Sequence, residues 1–248
     1  MTRLSAISMD SFRSWEATVP AAVRACGSFE EAAQRLVGMV FEQFRESVVL
    51  ARLYAIIPYS RLPPQAREFA LAAAASWHKR ELLGEDTKVL TLSGTRGESP
   101  AWNSRHSSKG HAAIPLISAA VEEHLPMVAR MIKELGFPMD WVLGSSRAFA
   151  ADTFGSLGGF FYVEDAETAL DDAGRRIIPA RDFVASHGVR TVFGTAGVYV
   201  RSRMIVTLIV FCRETLDRTT LRQMFMPLGN VFTNATAAAV RNERLFIS

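Results

Sequence analysis

The stretch HGVRTVFGTAGVYVRSRMIVTLIVFCR, His187 to Arg213, decides the fold. It holds two apolar, β-branched runs, Val189 to Val200 and Met204 to Phe211, parted by Arg201-Ser202-Arg203. Two such runs around a short polar break read as an antiparallel hairpin. The second run is almost wholly apolar, so both of its faces need cover, as in a central strand. An amphipathic pattern from Leu216 to Val240 follows, with Leu221, Met224, Phe225, Leu228, Val231 or Phe232, and Ala235 on one side. It predicts a long closing helix, kinked or split at Pro227.

Working back from the hairpin, helical and extended patterns alternate. Ser28-Phe-Glu-Glu31 is a capping box, the serine oxygen facing the third amide and Glu31 reaching back. Phe29, Ala33, Leu36, Val40 and Phe44 then recur at helical spacing. Val48 to Ile57 reads as a strand stopped by Pro58, and Pro63-Pro64 opens a helix to about Lys79 through Phe69, Ala73 and Trp77. Lys88 to Leu92 is a short strand ending at Ser93-Gly94. Ile117 to Leu135 is a helix closed by Gly136. Extended structure is expected at Trp141 to Leu143 and a helix at Ser146 to Phe154. A short strand follows at Phe160 to Val163, an exposed excursion at Glu164 to Arg176, and a helix from Pro179 to Ser186. Residues 1–10 read as a loose leader, followed by a helix from Ser11 to Ala25 interrupted by Pro20. The pattern predicts one α/β (α+β) domain, a central, mainly antiparallel sheet flanked by helices.

Composition narrows the function classes. The chain has 248 residues, 49% of them hydrophobic and 21% charged, which fits a globular domain. The net charge of +3 comes from scattered basic residues, with no basic stripe interleaved with aromatics, so no nucleic-acid partner is expected. The two cysteines, Cys26 and Cys212, are far apart in apolar surroundings and read as buried free thiols. The N-terminus lacks a signal-peptide core, and the longest apolar runs fall well short of the ~20 residues that span a bilayer. A cytoplasmic protein without a membrane partner is expected.

Three phrases invite comparison with a family. Gly188-Val-Arg-Thr-Val192 enters a strand, Ile205 to Phe211 forms the next, and Arg213 to Thr220 leads to the closing helix. This resembles the GAF superfamily of sensory domains, whose first helix and strand would match residues 28–57. The chain is also similar to GAF-like N-terminal regions of bacterial sensor kinases, through Ala51-Arg-Leu-Tyr54, Pro100-Ala-Trp-Asn-Ser-Arg105 and His111-Ala-Ala-Ile-Pro115. The resemblance implies a leader and helix over 1–27 and a GAF-like domain over 28–248 with an enlarged 97–180 insertion. It implies a small-molecule-binding sensor in bacterial-type signal transduction, without catalysis of its own, acting on a separate output protein. A homodimer through the terminal helices is the expected assembly, with Phe41, Val231, Phe232 and Ala235 to Ala239 as surplus apolar surface.

The candidate site is Arg52, Tyr54, Trp102, Asn103, Arg105, His106 and His111. Arg52 and Tyr54 share one face of an otherwise apolar strand, and a buried arginine needs an acceptor, either an internal carboxylate or a ligand anion. The loop 97–116 carries an indole, two imidazoles, an amide and a guanidinium, a composition that suits a pocket wall. The competing reading is a lid whose Trp102 and histidines only complete the core. An enzyme using the His106/His111 loop is the alternative function, and a haem- or metal-binding sensor another; no cofactor is favoured. Ligation needs more donors converging than two histidines five apart. A hydrolytic triad from Ser104, Ser107 or Ser108 with His106 and Asp86 lacks the Gly-x-Ser-x-Gly elbow, and Gly155 to Gly159 lacks the Lys-Ser/Thr of a phosphate loop.

Overall fold

A computed structural model describes residues 2–108, 110–137, 142 and 159–247. The expected extended segment at 141–143, Val142 apart, the helix at 146–154 and Gly155 to Gly158 lie outside the described residues. In chain order come α1 (Met9–Glu16), α2 (Val19–Arg24), α3 (Phe29–Gln43), β1 (Val48–Pro58) and α4 (Pro64–Ser76). Then follow β2 (Lys88–Gly97), β3 (Ala113–Pro115), α5 (Ser118–His124), α6 (Pro126–Glu134) and β4 (Phe161–Val163). The chain closes with α7 (Arg181–His187), β5 (Thr191–Tyr199), β6 (Met204–Cys212) and α8 (Arg218–Arg241).

The strands form one six-stranded sheet in the order β3-β2-β1-β6-β5-β4, and every neighbouring pair is antiparallel. The opening hairpin is β5–β6. The apolar run Met204–Cys212 is buried along its whole length beside β1 at the sheet centre, because both its faces carry cover. Helix into strand, intervening helices, strand, turn, strand and closing helix is the GAF-like order that the resemblance implies.

Strand alternation sorts the core into two layers. Ala51, Leu53, Ala55 and Ile57 of β1, with Val206, Leu208 and Val210 of β6, meet α1, α2, α3 and α8. Leu50, Tyr54 and Ile56, with Ile205, Ile209 and Phe211, face the other way, towards α5, α6 and α7. The terminal helices thus share one face, as expected. Phe41, Phe232, Ala235 and Ala239 are buried there within a single chain, while Val231 and Ala237 are half-buried and Ala238 is exposed.

Local departures have local causes. Thr2 N–H donates to the Gln43 carbonyl, Leu4 N–H to Ser47 Oγ at 2.8 Å, and Leu4 is core, so the leader is fastened from its second residue. The first helix is two, because Pro20 starts a new one in the first turn of α2. Ser28 Oγ accepts from Glu31 N–H at 3.1 Å, while Glu31 returns to Gly27 N–H at 2.8 Å, one residue earlier than the box predicts. The core face of α4 is Ala66, Ala70 and Ala74, leaving Phe69, Ala73 and Trp77 half-buried. Strand β2 runs through Ser93-Gly94. Leu53 pairs with Gly94 and Tyr54 with Leu92, so Ser93 is a bulge. A Cβ on Gly94 would lie 2.6 Å from the Ala33 backbone, so the glycine marks where α3 presses on the sheet. Pro227 does not split α8. It cannot donate to the Gln223 carbonyl, and Arg13 Nη2 supplies that hydrogen bond at 2.9 Å. The excursion at 164–176 exposes Leu170 but buries Ala166.

Candidate functional site

The helix expected over 117–135 is broken at Leu125-Pro126, and that break shapes the site. Pro126 has no N–H to extend α5, and it keeps Leu125 out of the helical region (φ −129°, ψ 64°). The corner turns His124, Leu125, Pro126, Met127 and Val128 towards the second face of the sheet. The segment leading into α7 brings Ile178, Pro179 and Ala180, α7 itself brings Phe183, and Ala101, Trp102, Ser107, Ser108, Gly110 and His111 of the loop after β2 close the third side. Between them and the sheet lies a cavity of about 530 Å³, floored by Leu50, Arg52, Tyr54, Leu90, Ile209 and Phe211. That volume falls in the range of small-molecule pockets.

Four expected site residues, Arg52, Tyr54, Trp102 and His111, line this cavity. The indole of Trp102 packs edge-on against Phe183, with ring centres 5.5 Å apart, and against His187 at 4.8 Å. It lies so close to β2 that a Cβ on Gly97 would stand 2.8 Å from its ring. His111 sits at the rim with a left-handed backbone (φ 57°). The residue lines the cavity and is itself exposed. Desolvation first, then the nearby Arg52 charge, hold its pKa below the usual histidine value.

The other three residues do not line the cavity. Asn103 Oδ1 accepts from Gly97 N–H at 3.1 Å, tying the loop to the strand it leaves. Arg105 makes a two-pronged ion pair with Glu30, which is only 3% exposed. His106 hydrogen-bonds Gln65 at 3.0 Å through Nδ1 and Glu30 at 3.3 Å through Nε2. Ile247 N–H also donates to Glu30, at 3.1 Å. Asn103, Arg105 and His106 therefore fasten the loop from behind. The two loop histidines part: His111 lines the cavity and His106 hydrogen-bonds Gln65 and Glu30 behind the loop. No triad forms either: Ser107 Oγ donates to the Ala101 and Ser104 carbonyls, and Ser108 Oγ serves Arg52. Among the described residues no three His, Cys, Asp or Glu side chains gather as a metal site.

Arg52 is the unusual member. It is 9% exposed, and among the described residues it has no carboxylate partner. Nη1 donates to Tyr54 Oη and to the Gly110 carbonyl, both at 3.2 Å, and Nη2 donates to Ser108 Oγ at 3.1 Å. Its Nε is buried with no hydrogen-bond partner among the described residues. The hydroxyls of Thr95 and Thr207 are orphaned too. Thr95 pairs with Arg52 across β2, and Thr207 pairs with Tyr54 across β6, so all three orphans share one patch of the sheet.

Both cysteines are free and stand outside the cavity. Burial raises the pKa of each thiol, most strongly for Cys212, which fits core packing rather than thiolate chemistry.

No family model matches the chain, and no curated protein matches it. Solved structures similar to it include a free methionine-R-sulfoxide reductase from Neisseria meningitidis in complex with its substrate, at 10% identity and TM-score 0.49, covering 98% of each chain. A GAF domain from an Acinetobacter phosphoenolpyruvate-protein phosphotransferase is similar at 13% identity and TM-score 0.44, covering 94% of this chain and 99% of that one. A phycoerythrobilin-bound GAF domain from a cyanobacterial phytochrome is similar at 9% identity and TM-score 0.45, covering 96% of this chain and all of the other.

Proposed function

We propose that this protein is a sensory domain that takes a small molecule into the cavity between the sheet and the 98–112 loop. The observation that carries this is the cavity of about 530 Å³ whose floor holds a buried arginine without a carboxylate partner among the described residues. Apolar walls with a few convergent polar groups are what a small-molecule site requires. On this reading Arg52, Tyr54, Trp102 and His111 contact the ligand, and Asn103, Arg105 and His106 hold the loop that covers it. The protein works in bacterial-type signal transduction in the cytoplasm and passes ligand occupancy to a separate output protein. No helix among the described residues is long and apolar enough to cross a membrane.

The uncharged dye Nile red tests the cavity. Its emission should rise and shift to the blue on mixing with the protein, saturating at one dye per chain. Ala101→Trp, at the exposed rim, should abolish the signal while leaving the melting temperature unchanged. An equal signal from the rim variant would place the dye elsewhere and refute the assignment. A Soret band in the freshly purified protein would favour the haem-sensor alternative.

A further inference from the structure

The donors around Arg52 define the chemistry of the ligand, given the cavity reading above. A guanidinium has five N–H donors. Three are taken, by Tyr54 Oη, the Gly110 carbonyl and Ser108 Oγ. Nε–H and the second Nη2 hydrogen have no acceptor among the described residues. Tyr54 and Ser108 each spend an oxygen lone pair on Arg52, so each keeps its own O–H hydrogen to donate. The site thus gathers a cation and two hydroxyl donors, while none of the described residues lining the cavity is Asp or Glu. A buried cation with spare donors is costly unless an anion completes it.

We infer that the cavity binds an amphipathic monocarboxylate, its head on Arg52 with Tyr54 and Ser108, its apolar body against Trp102, Phe183 and Phe211. One charge is argued from the lining: Arg52 is its sole Lys or Arg among the described residues. A dianionic phosphate would bring a second negative charge into a mainly apolar cavity whose described lining holds no second Lys or Arg. A carboxylate can accept from the free Nη2 hydrogen of the guanidinium and from the Tyr54 and Ser108 hydroxyls, a charge-assisted set. Burial of an aromatic or alkyl body supplies the rest of the affinity.

The test is calorimetric titration with four probes that share one body: 4-phenylbutyrate, 4-phenylbutanol, 4-phenylbutylamine and the phosphate monoester of 4-phenylbutanol. Hydrogen bonds to a charged group predict that the carboxylate binds at least about tenfold more tightly than the alcohol. The amine should be weakest, and the phosphate weaker than the carboxylate. Arg52→Gln should erase the preference for carboxylate over alcohol, and Arg52→Lys should keep part of it. Arg52→Met, apolar and of similar length, covers the case in which the glutamine variant misfolds, and it should bind the alcohol best. Equal affinity for alcohol and carboxylate, with Nile red still bound, would overturn the head-group inference and leave the cavity reading standing. Loss of Nile red and of all four probes would overturn the cavity reading itself. Tightest binding by the phosphate would replace a carboxylate ligand with a phosphate one.

Discussion

The two faces of this sheet are built from the same strands and end in opposite states. On the helical side, backbones touch. A Cβ on Gly197 would fall 2.3 Å from the Gly229 carbonyl of α8, and one on Gly94 would meet α3. Phe12, Phe44, Phe225 and Phe193 fill the space between, with Phe193 and Phe225 ring centres 4.7 Å apart. The free space left beside Leu208 is about 10 Å³, too little for a ligand. On the other side Ile209, the next residue along β6, looks into about 530 Å³. Neighbouring residues of one strand, equally apolar, meet a solid wall and a hollow. Glycines and alanines let the helices of the first face settle onto the sheet. On the second face a proline corner and a loop fastened from outside hold the walls apart. The hollow is therefore a constructed feature and not loose packing.

The strongest way to break the contrast is through Glu30, which stands on α3 of the solid side yet holds the loop of the hollow side. Glu30→Gln leaves Arg105 buried without its carboxylate, and a cost of about 3 kcal/mol is expected. Chemical denaturation should show that loss, and Nile red binding should weaken at temperatures where the variant is still folded. An unchanged denaturation midpoint would mean that the clamp does not hold the loop.

Adjacent residues give a sharper comparison. Leu208→Phe adds volume to a filled core and should cost about 2 kcal/mol, whereas Ile209→Phe grows into free space and should change stability by less than about 1 kcal/mol. Equal losses, measured side by side by urea denaturation, would mean that the two faces are packed alike.

The smallest effect concerns the rim. His111 has a depressed pKa in the folded protein, so between that value and its unfolded value near 6.5 the unfolded chain binds more protons. Its contribution to stability is therefore present above about pH 6.5 and is lost as the pH falls towards the folded value. The melting temperature should fall less between about pH 7 and pH 5 in His111→Asn, a residue tolerant of the left-handed backbone, than in the wild type. Parallel curves would put His111 in open water.

Much of this fold was legible because its signals are local. The hairpin, the Ser28 cap and the left-handed Gly188 each depend on a few neighbouring residues. The breaks were harder. Pro126 sits inside a good helical pattern, and Ser93-Gly94 looks like a strand end. Only the approach of α3 shows why the strand bulges there and goes on. The site was legible where strand alternation applies, at Arg52 and Tyr54. It was less so in the loop, where Trp102 and His111 turn inward while Asn103, Arg105 and His106 turn away. No periodic rule distinguishes them, since their directions are set by Gly97, Glu30 and Gln65 from other parts of the chain. Ser108 was weighed only as a nucleophile, Phe211 as the end of an apolar strand, and Phe183 carries no signal of its own within its short helix. They join the cavity wall because four distant segments converge there.

The central claim is that the second face of the sheet holds a ligand cavity whose floor carries an arginine with no carboxylate partner among the described residues. A crystal structure of the protein grown with 4-phenylbutyrate tests it most directly. The account predicts the carboxylate within hydrogen-bond distance of Arg52 Nη2, Tyr54 Oη and Ser108 Oγ and the phenyl ring beside Trp102 and Phe183. A 98–112 loop collapsed onto Ile209 and Phe211, with Arg52 paired to a carboxylate of the chain itself and no ligand bound, would contradict it.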